Sequence, residues 1–151
     1  MARFATCAEA QAPAADVWRL VTDWPAHSRF VPLTTVTRTG GGPPGVGERF
    51  TARTGIGRLA FDDLMEVVEW VPPDGGAAGR CVVAKLGRVL LGHAVIEVTP
   101  LSPHGCRVTW SEVVEIAPTL LTRAAAPLVT LAGEVGLGRV LRAMLAEVEQ
   151  R

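Results

Sequence analysis

Hydrophobic and polar residues alternate over much of this chain, in runs separated by glycine- and proline-rich turns. The clearest alternation lies between Cys106 and Ile116, where Val108, Trp110 and Val114 share one face. Apolar side chains on one face are typical of a strand that covers a core on that side. The same reasoning predicts six more strands, at Arg3 to Ala10, Leu33 to Thr39, Glu48 to Thr54, Arg58 to Val71, Arg80 to Leu86 and Gly92 to Thr99.

Two short helical segments are predicted after the first strand. Pro13 suits the first turn of a helix, and Val17 and Trp18 belong to its apolar face. Asp23-Trp24-Pro25 ends this helix, and a second short helix or turn runs to Phe30.

The last part of the chain, Leu120 to Val148, is apolar and favours a helix. Its second half has an apolar stripe on nearly the opposite side from the first, and Gly133, Gly136 and Gly138 lie at the changeover. We therefore expect a kink or break there, giving either a bent core helix or a first half that covers a pocket or contacts a second subunit. The first stripe comprises Leu121, Ala125, Leu128, Leu131, Ala132 and Val135; the second comprises Leu137, Val140, Leu141, Met144 and Val148.

These elements predict an α+β fold, with a seven-stranded antiparallel sheet curved around the long C-terminal helix. Each connection between the later strands has the length of a hairpin, which favours antiparallel neighbours. A helix held by a curved sheet commonly leaves an apolar pocket between them. Residues 1–151 are expected to form one domain.

Composition argues against several classes of partner. Acidic and basic residues balance to a formal net charge of zero, so we expect no nucleic-acid binding. No apolar run is long enough to predict a membrane span. Cys7, Cys81 and Cys106 have no paired spacing, which favours free thiols and a cytoplasmic protein.

Five segments carry a family resemblance: Ala12 to Pro25, Phe30-Val31-Pro32, Val46 to Phe50, Val68 to Pro73 and Gly105 to Trp110. In their order and spacing they resemble the START-like superfamily, also called SRPBCC, and within it the polyketide cyclase/dehydrase-like group. The resemblance implies a helix-grip fold with a cavity for a small hydrophobic molecule. Polyketide-modifying members place polar side chains in that cavity, but this chain has no tyrosine, which excludes a tyrosine-assisted mechanism.

Glu112 is the only candidate catalytic residue, because it shares the apolar face of the last strand. A carboxyl group in a dry cavity has a raised pKa and can act as a general acid or base, or anchor a ligand hydroxyl. The alternatives are a wet cavity mouth or a bulge that turns Glu112 outward. The predicted cavity wall comprises Phe61, Met65, Val108, Trp110, Glu112, Val114, Leu128 and Leu131.

The fourth predicted strand carries two carboxylates on the face opposite this wall. Asp62 and Glu66 would lie about 13 Å apart, too far for direct coupling, and are expected in solvent. Trp70 is expected on the same outer face, and Val71 on the cavity face. Arg53 either anchors a ligand carboxylate or is a surface charge.

No cofactor or metal site is predicted. His93 alternates onto the solvent side of its strand, and no three histidines, cysteines or acids have metal-ligand spacing. Gly45-Val46-Gly47 precedes an acidic residue and a strand, which does not suit a phosphate-binding loop.

The pattern favours a noncatalytic protein that binds a small hydrophobic or amphipathic molecule, such as a lipid or a polyketide-like compound. The alternative is a polyketide aromatase/cyclase or dehydratase in which Glu112 moves protons. A third possibility is an interaction protein with a collapsed cavity that forms a homodimer through its helix.

Overall fold

The computed structural model describes the backbone of residues 1–116 and 119–151, and the side chains of residues 1–116 and 130–151. Seven strands carry most of the chain before the last helix. They are β1 (Ala2–Ala10), β2 (Thr34–Thr39), β3 (Arg49–Thr54), β4 (Phe61–Val71), β5 (Gly79–Leu86), β6 (Leu90–Ser102) and β7 (Gly105–Ile116). The helices are α1 (Ala14–Val21), α2 (Thr119–Glu149) and two short 3₁₀ helices, Trp24–Arg29 and Gly57–Leu59.

The strands form one antiparallel sheet in the order β1-β7-β6-β5-β4-β3-β2. Strands β2 to β7 are joined as hairpins, and β1 closes the other edge by pairing with β7. Helix α2 packs mainly over β1 and makes smaller contacts with β7 and α1. The predicted α+β helix-grip fold is confirmed.

The main core joins the second half of α2 to α1 and the sheet. Leu141 and Met144 are fully buried, as are Val17 and Val21 of α1. Trp18 of α1 meets Trp70 of β4 edge to face, with ring centroids 5.1 Å apart. The predicted second stripe of α2 is therefore in the core from Val140 onward.

Helix α2 runs without a break through Gly133, Gly136 and Gly138, so a break at these glycines is wrong, while a kink there stays a prediction. Gly133 lies against the ring of Phe4 in β1, where a Cβ would approach within 2.6 Å. The glycine thus allows the helix to lie close to the sheet. Leu131 and Val135 of the first stripe are exposed, at 60% and 46%, whereas Leu121, Ala125 and Leu128 lie outside the described side chains.

A β-bulge in β4 changes which residues face the core. The register with β5 shifts between Val67 and Glu69, which inserts Val68 as an extra residue. Trp70 therefore turns towards the core and packs on Trp18, while Val71 is half exposed. Alternation alone predicts Trp70 on the outer face and Val71 on the cavity face. Both predictions are wrong, because alternation does not account for the inserted residue.

No helix in the described part of the chain is long and apolar enough to cross a membrane.

Candidate functional site

A cavity of about 340 Å³ lies between the sheet and α2. All seven strands contribute to its wall, together with the 3₁₀ helix Trp24–Arg29, the following loop, and residues between 132 and 140 of α2. Its volume is in the range of sites for small organic ligands. The structure thus has an open space where the curved sheet meets the helix, and the alternative of a collapsed cavity does not hold.

Aromatic rings form one side of this cavity. Trp24 stacks on Phe50 with ring centroids 4.4 Å apart and planes inclined by 6°. His27 lies between Trp24 and Trp110, with centroid distances of 5.5 and 5.4 Å. The indole N–H of Trp24 donates to Glu48 Oε1 at 2.9 Å, which fixes the orientation of the ring. The result is a rigid apolar surface for a planar or aliphatic ligand.

His27 is buried and neutral. Its Nε2 lies 2.9 Å from the carbonyl oxygen of Val21. Because a carbonyl oxygen can only accept, Nε2 carries the proton and Nδ1 holds a lone pair. Burial lowers the pKa of His27, outweighing the opposing effects of the Val21 carbonyl and the Asp23 charge. His27 therefore adds polarity to the wall without adding charge at neutral pH.

A cluster of three ionisable side chains forms the polar side of the cavity. Lys85 Nζ donates to Asp63 Oδ2 at 2.7 Å and lies 3.8 Å from Glu112 Oε2. The three side chains are 6%, 8% and 16% exposed, respectively. We call Asp63, Lys85 and Glu112 the acid–lysine cluster.

The local sequence of β6 allows this cluster to form. Lys85 on β5 pairs with Gly92, and Glu112 on β7 pairs with Ala94, so β6 lies between the two charged residues. Two strands that flank a third in a sheet, as β5 and β7 flank β6, lie about 9.5 Å apart. Gly92 and Ala94 place no long side chain in that gap. Gly92 also has φ of +126°, and a Cβ there would lie 1.9 Å from the carbonyl oxygen of Val113.

Burial and neighbouring charges set the protonation states of the cluster. Burial raises the pKa of Glu112, and repulsion from Asp63 adds to this, while attraction to Lys85 opposes it. For Lys85, burial alone would lower the pKa, but the charges of Glu112 and Asp63 outweigh burial and raise it. Lys85 therefore stays an ammonium group near neutral pH, unsuited to nucleophilic attack, while Glu112 can both accept and release a proton.

Two polar atoms of the cavity wall lack hydrogen bonds. Asp63 Oδ1 and Trp110 Nε1 are buried and have no hydrogen-bond partner among the described residues. The indole N–H of Trp110 lies close enough to Glu112 to favour its charged form, but the two groups do not meet the full distance and angle requirements of a hydrogen bond. Leaving such a group unpaired costs about 1–3 kcal/mol. A ligand that pairs with either atom recovers that cost.

The structure brings three of the predicted wall residues together at the cavity. Met65, Trp110 and Glu112 all line it. Glu112 lies in an uninterrupted register with β1 and β6, so the bulge considered as an alternative is absent from its part of β7. Its side chain is directed to the same side as Trp110.

Four other predicted residues are not among the described residues that line the cavity. Phe61 is 36% exposed because it begins β4 at the end of the sheet. Val108 is buried in the core beyond Trp110, and Val114 lies one inward position past Glu112, opposite Gly92. Leu131 is exposed, since the turn of α2 directs its neighbours Ala132 and Gly133 to the cavity. Leu128 lies outside the described side chains.

The remaining candidate residues lie on the outer surface. Arg53 forms an exposed ion pair with Asp62 at 3.1 Å, and Glu66 pairs with Arg49 on the same face. His93 is exposed, as its alternation predicts. Within the described residues, no group of three histidines, cysteines or acids is arranged to hold a metal ion.

Sequence reasoning missed Asp63, Lys85 and His27 as parts of the site. Strand alternation contained a signal for the first two, since Asp63 shares parity with Met65, and Lys85 shares parity with the buried Cys81 and Val83. A charged residue that continues an inward apolar series is a candidate for a buried ion pair. His27 lies in a 3₁₀ helix, where neither periodicity applies.

Several solved structures superpose on this chain over nearly its whole length. A protein from Thermus thermophilus superposes with a TM-score of 0.74 at 16% identity, covering 97% of this chain and 96% of the other. A START superfamily protein from Mycobacterium smegmatis gives 0.71 at 17% identity, with coverage of 98% and 97%. The Zhui aromatase/cyclase from a Streptomyces species gives 0.70 at 16% identity, with coverage of 99% and 94%. These identities establish a shared fold.

No curated protein matches the sequence. The family described as polyketide cyclase/dehydrase and lipid transport matches residues 1–151. This match, together with the helix-grip architecture and its cavity, identifies the family of the chain. It belongs to the polyketide cyclase/dehydrase and lipid transport family.

Proposed function

We propose that the protein binds a small hydrophobic or amphipathic molecule in the cavity between the sheet and α2, without transforming it. The observation that carries this proposal is the combination of a volume of about 340 Å³ with a wall that is mainly apolar and aromatic. Trp24, Phe50 and Ile96 supply apolar contact area, and the acid–lysine cluster supplies one polar region. Such a division suits an amphipathic ligand.

Native mass spectrometry of the purified protein is the first test. A retained small molecule would give a mass above that of the 151-residue chain, and the same spectrum would report the oligomeric state. A homodimer is the alternative oligomeric state that this mass measurement would detect.

We infer a cytoplasmic protein without a nucleic-acid partner, since Cys7, Cys81 and Cys106 are free thiols and the net charge is zero.

A fluorescent probe tests the cavity directly. We expect N-phenyl-1-naphthylamine to bind the wild-type protein, and Ala132→Trp to weaken binding by about tenfold or more, because Ala132 lies at the exposed edge of the cavity and the indole would obstruct it. Ala143→Trp is the matched control, since Ala143 is exposed on the same helix and lies away from the cavity. Equal binding by both variants would place the probe elsewhere and contradict the proposal.

A second candidate function is cyclisation or dehydration of a polyketide, favoured by the position of Glu112 beside Lys85. In an aldol-type ring closure, ionised Glu112 would remove a proton from the carbon between two carbonyls. The Lys85 ammonium would stabilise the negative charge on the resulting enolate oxygen, and Asp63 would hold Lys85 in place. Protonated Glu112 would then return its proton to the alkoxide formed by ring closure.

Turnover of a linear poly-β-ketone thioester, followed by the absorbance of an aromatic product, separates the two functions. The enzyme hypothesis predicts that Glu112→Gln lowers kcat by about 100-fold, because it removes the proton-transfer group. Glu115→Gln is the control, as Glu115 alternates onto the opposite face of β7. Absence of turnover in the wild-type protein, with ligand binding intact, would leave only the noncatalytic function.

A further inference from the structure

We propose that the acid–lysine cluster and Trp110 select a neutral ligand that carries a hydroxyl group, and disfavour a carboxylate with the same apolar body. This inference rests on the proposed binding function and concerns the same cavity. It follows from how the charges and the free hydrogen-bonding atoms of the wall are distributed.

Lys85 already faces two acidic side chains. Its Nζ lies 2.7 Å from Asp63 Oδ2 and 3.8 Å from Glu112 Oε2. The only other ionisable group among the described lining residues is His27, which is buried, with Nε2 hydrogen-bonded to the Val21 carbonyl. A ligand carboxylate would therefore be a third acid beside one ammonium group, in a site that is largely removed from water.

The free hydrogen-bonding atoms point to the same ligand chemistry. Among the described residues, Asp63 Oδ1 has no donor, and Trp110 Nε1 lies near Glu112 without a well-formed hydrogen bond. A hydroxyl group can donate to Asp63 Oδ1 or accept from Trp110 Nε1, whereas an ionised carboxylate can only accept, so it leaves Asp63 Oδ1 without a donor. An alcohol, a phenol or the enol of a β-diketone meets these requirements, and so does the hydroxyl end of a neutral lipid.

Three naphthalene derivatives test the inference because they share one apolar body. Naphthalene, 2-naphthol and 2-naphthoate would be titrated into the protein at pH 7.5, in competition with N-phenyl-1-naphthylamine. We expect 2-naphthol to bind about tenfold more tightly than naphthalene, and at least about tenfold more tightly than 2-naphthoate. Equal affinities, or tighter binding of 2-naphthoate, would overturn the inference.

Two substitutions connect the selectivity to the named atoms. Trp110→Phe keeps an aromatic ring but removes the free N–H, so we expect the advantage of 2-naphthol over naphthalene to fall by about threefold or more. Trp70→Phe is the matched control, because Trp70 packs on Trp18 outside the cavity. Glu112→Gln removes one of the two acids beside Lys85 and should reduce the difference in affinity between 2-naphthol and 2-naphthoate. If Glu112→Gln leaves the difference in affinity between 2-naphthol and 2-naphthoate unchanged, repulsion by Glu112 does not disfavour the carboxylate ligand.

These outcomes also separate the inference from the function on which it rests. If neither the fluorescent probe nor any naphthalene derivative binds, the proposed binding function is overturned, and the selectivity with it. If the probe and naphthalene bind while 2-naphthol has no advantage over 2-naphthoate, only the inference fails.

Discussion

Lys85 and Glu112 lie on strands that do not pair with each other, yet Lys85 Nζ is 3.8 Å from Glu112 Oε2. Contact across the intervening strand depends on Gly92 and Ala94 of β6, which leave the gap free of long side chains. The buried ion pair is therefore a property of three adjacent strands, and its removal has consequences for both stability and binding.

Lys85→Met should destabilise the fold strongly. Removing the ammonium group leaves Asp63 and Glu112 buried without their counter-charge, a change that typically costs about 3–5 kcal/mol. The loss should be smaller at pH 5 than at pH 8, because burial raises the pKa of Glu112, so this carboxyl group becomes neutral in acid more readily than an exposed one. Urea unfolding at both pH values measures it, with exposed Arg88→Met as the control. A loss below about 1 kcal/mol would mean that water screens the cluster.

Glu112→Gln should change how stability depends on pH. Burial raises the pKa of Glu112 above its ordinary value of 4.5, so the folded state binds its proton more tightly than the unfolded chain. The contribution of Glu112 to the free energy of unfolding therefore falls as pH rises from about 4.5 towards the raised pKa. Asp63 and Lys85 are the charged groups that face it. Relative to wild type, Glu112→Gln should gain stability across this interval; Glu115→Gln, on the opposite face of β7, should not.

His27 should make the protein sensitive to mild acid. Burial lowers its pKa below 6.5, so the unfolded chain binds a proton that the folded state excludes. Its contribution to stability is present above pH 6.5 and is lost as pH falls through that value. We expect His27→Gln to flatten the stability profile between pH 7 and 5, while His93→Gln, at an exposed position, leaves the profile unchanged. If His27→Gln and His93→Gln have the same dependence of stability on pH, the folded protein accepts a proton on His27 without unfolding.

Two glycines of α2 should respond differently to alanine. A Cβ at Gly133 would meet the Phe4 ring at 2.6 Å, whereas a Cβ at Gly136 meets nothing within 4 Å. Gly136→Ala should therefore stabilise the helix by up to about 1 kcal/mol and, because Gly136 lines the cavity, slow ligand exchange. Gly133→Ala should lose stability, since overpacking of about 1–3 kcal/mol exceeds the same helix gain. Thermal unfolding and stopped-flow release of the fluorescent probe measure both effects; unchanged release from Gly136→Ala would argue against a covering role for this part of α2.

Alternation predicted most of the fold because seven strands and two helices each bury one face. It also put Glu112 on the same face as Trp110, and both side chains line the cavity, since β7 keeps its period from Cys106 to Ile116. It failed at Trp70, because an inserted residue in β4 reverses the faces without a local sequence signal strong enough to predict it. It could not predict the Lys85–Glu112 contact either, because that depends on the order of strands and on the small residues between them.

The pairing of β1 with β7 also sets the order in which the chain can fold. Ala2 pairs with Val114 and Ala10 with Cys106, so the first strand must wait for a partner made about a hundred residues later. The hairpins from β2 to β7 can form from neighbouring segments, whereas the last edge of the sheet and the α2 contact on it require distant parts of the chain to meet. During synthesis on the ribosome, β1 therefore remains unpaired until nearly all of the sheet has emerged, and the cavity is among the last features to be completed.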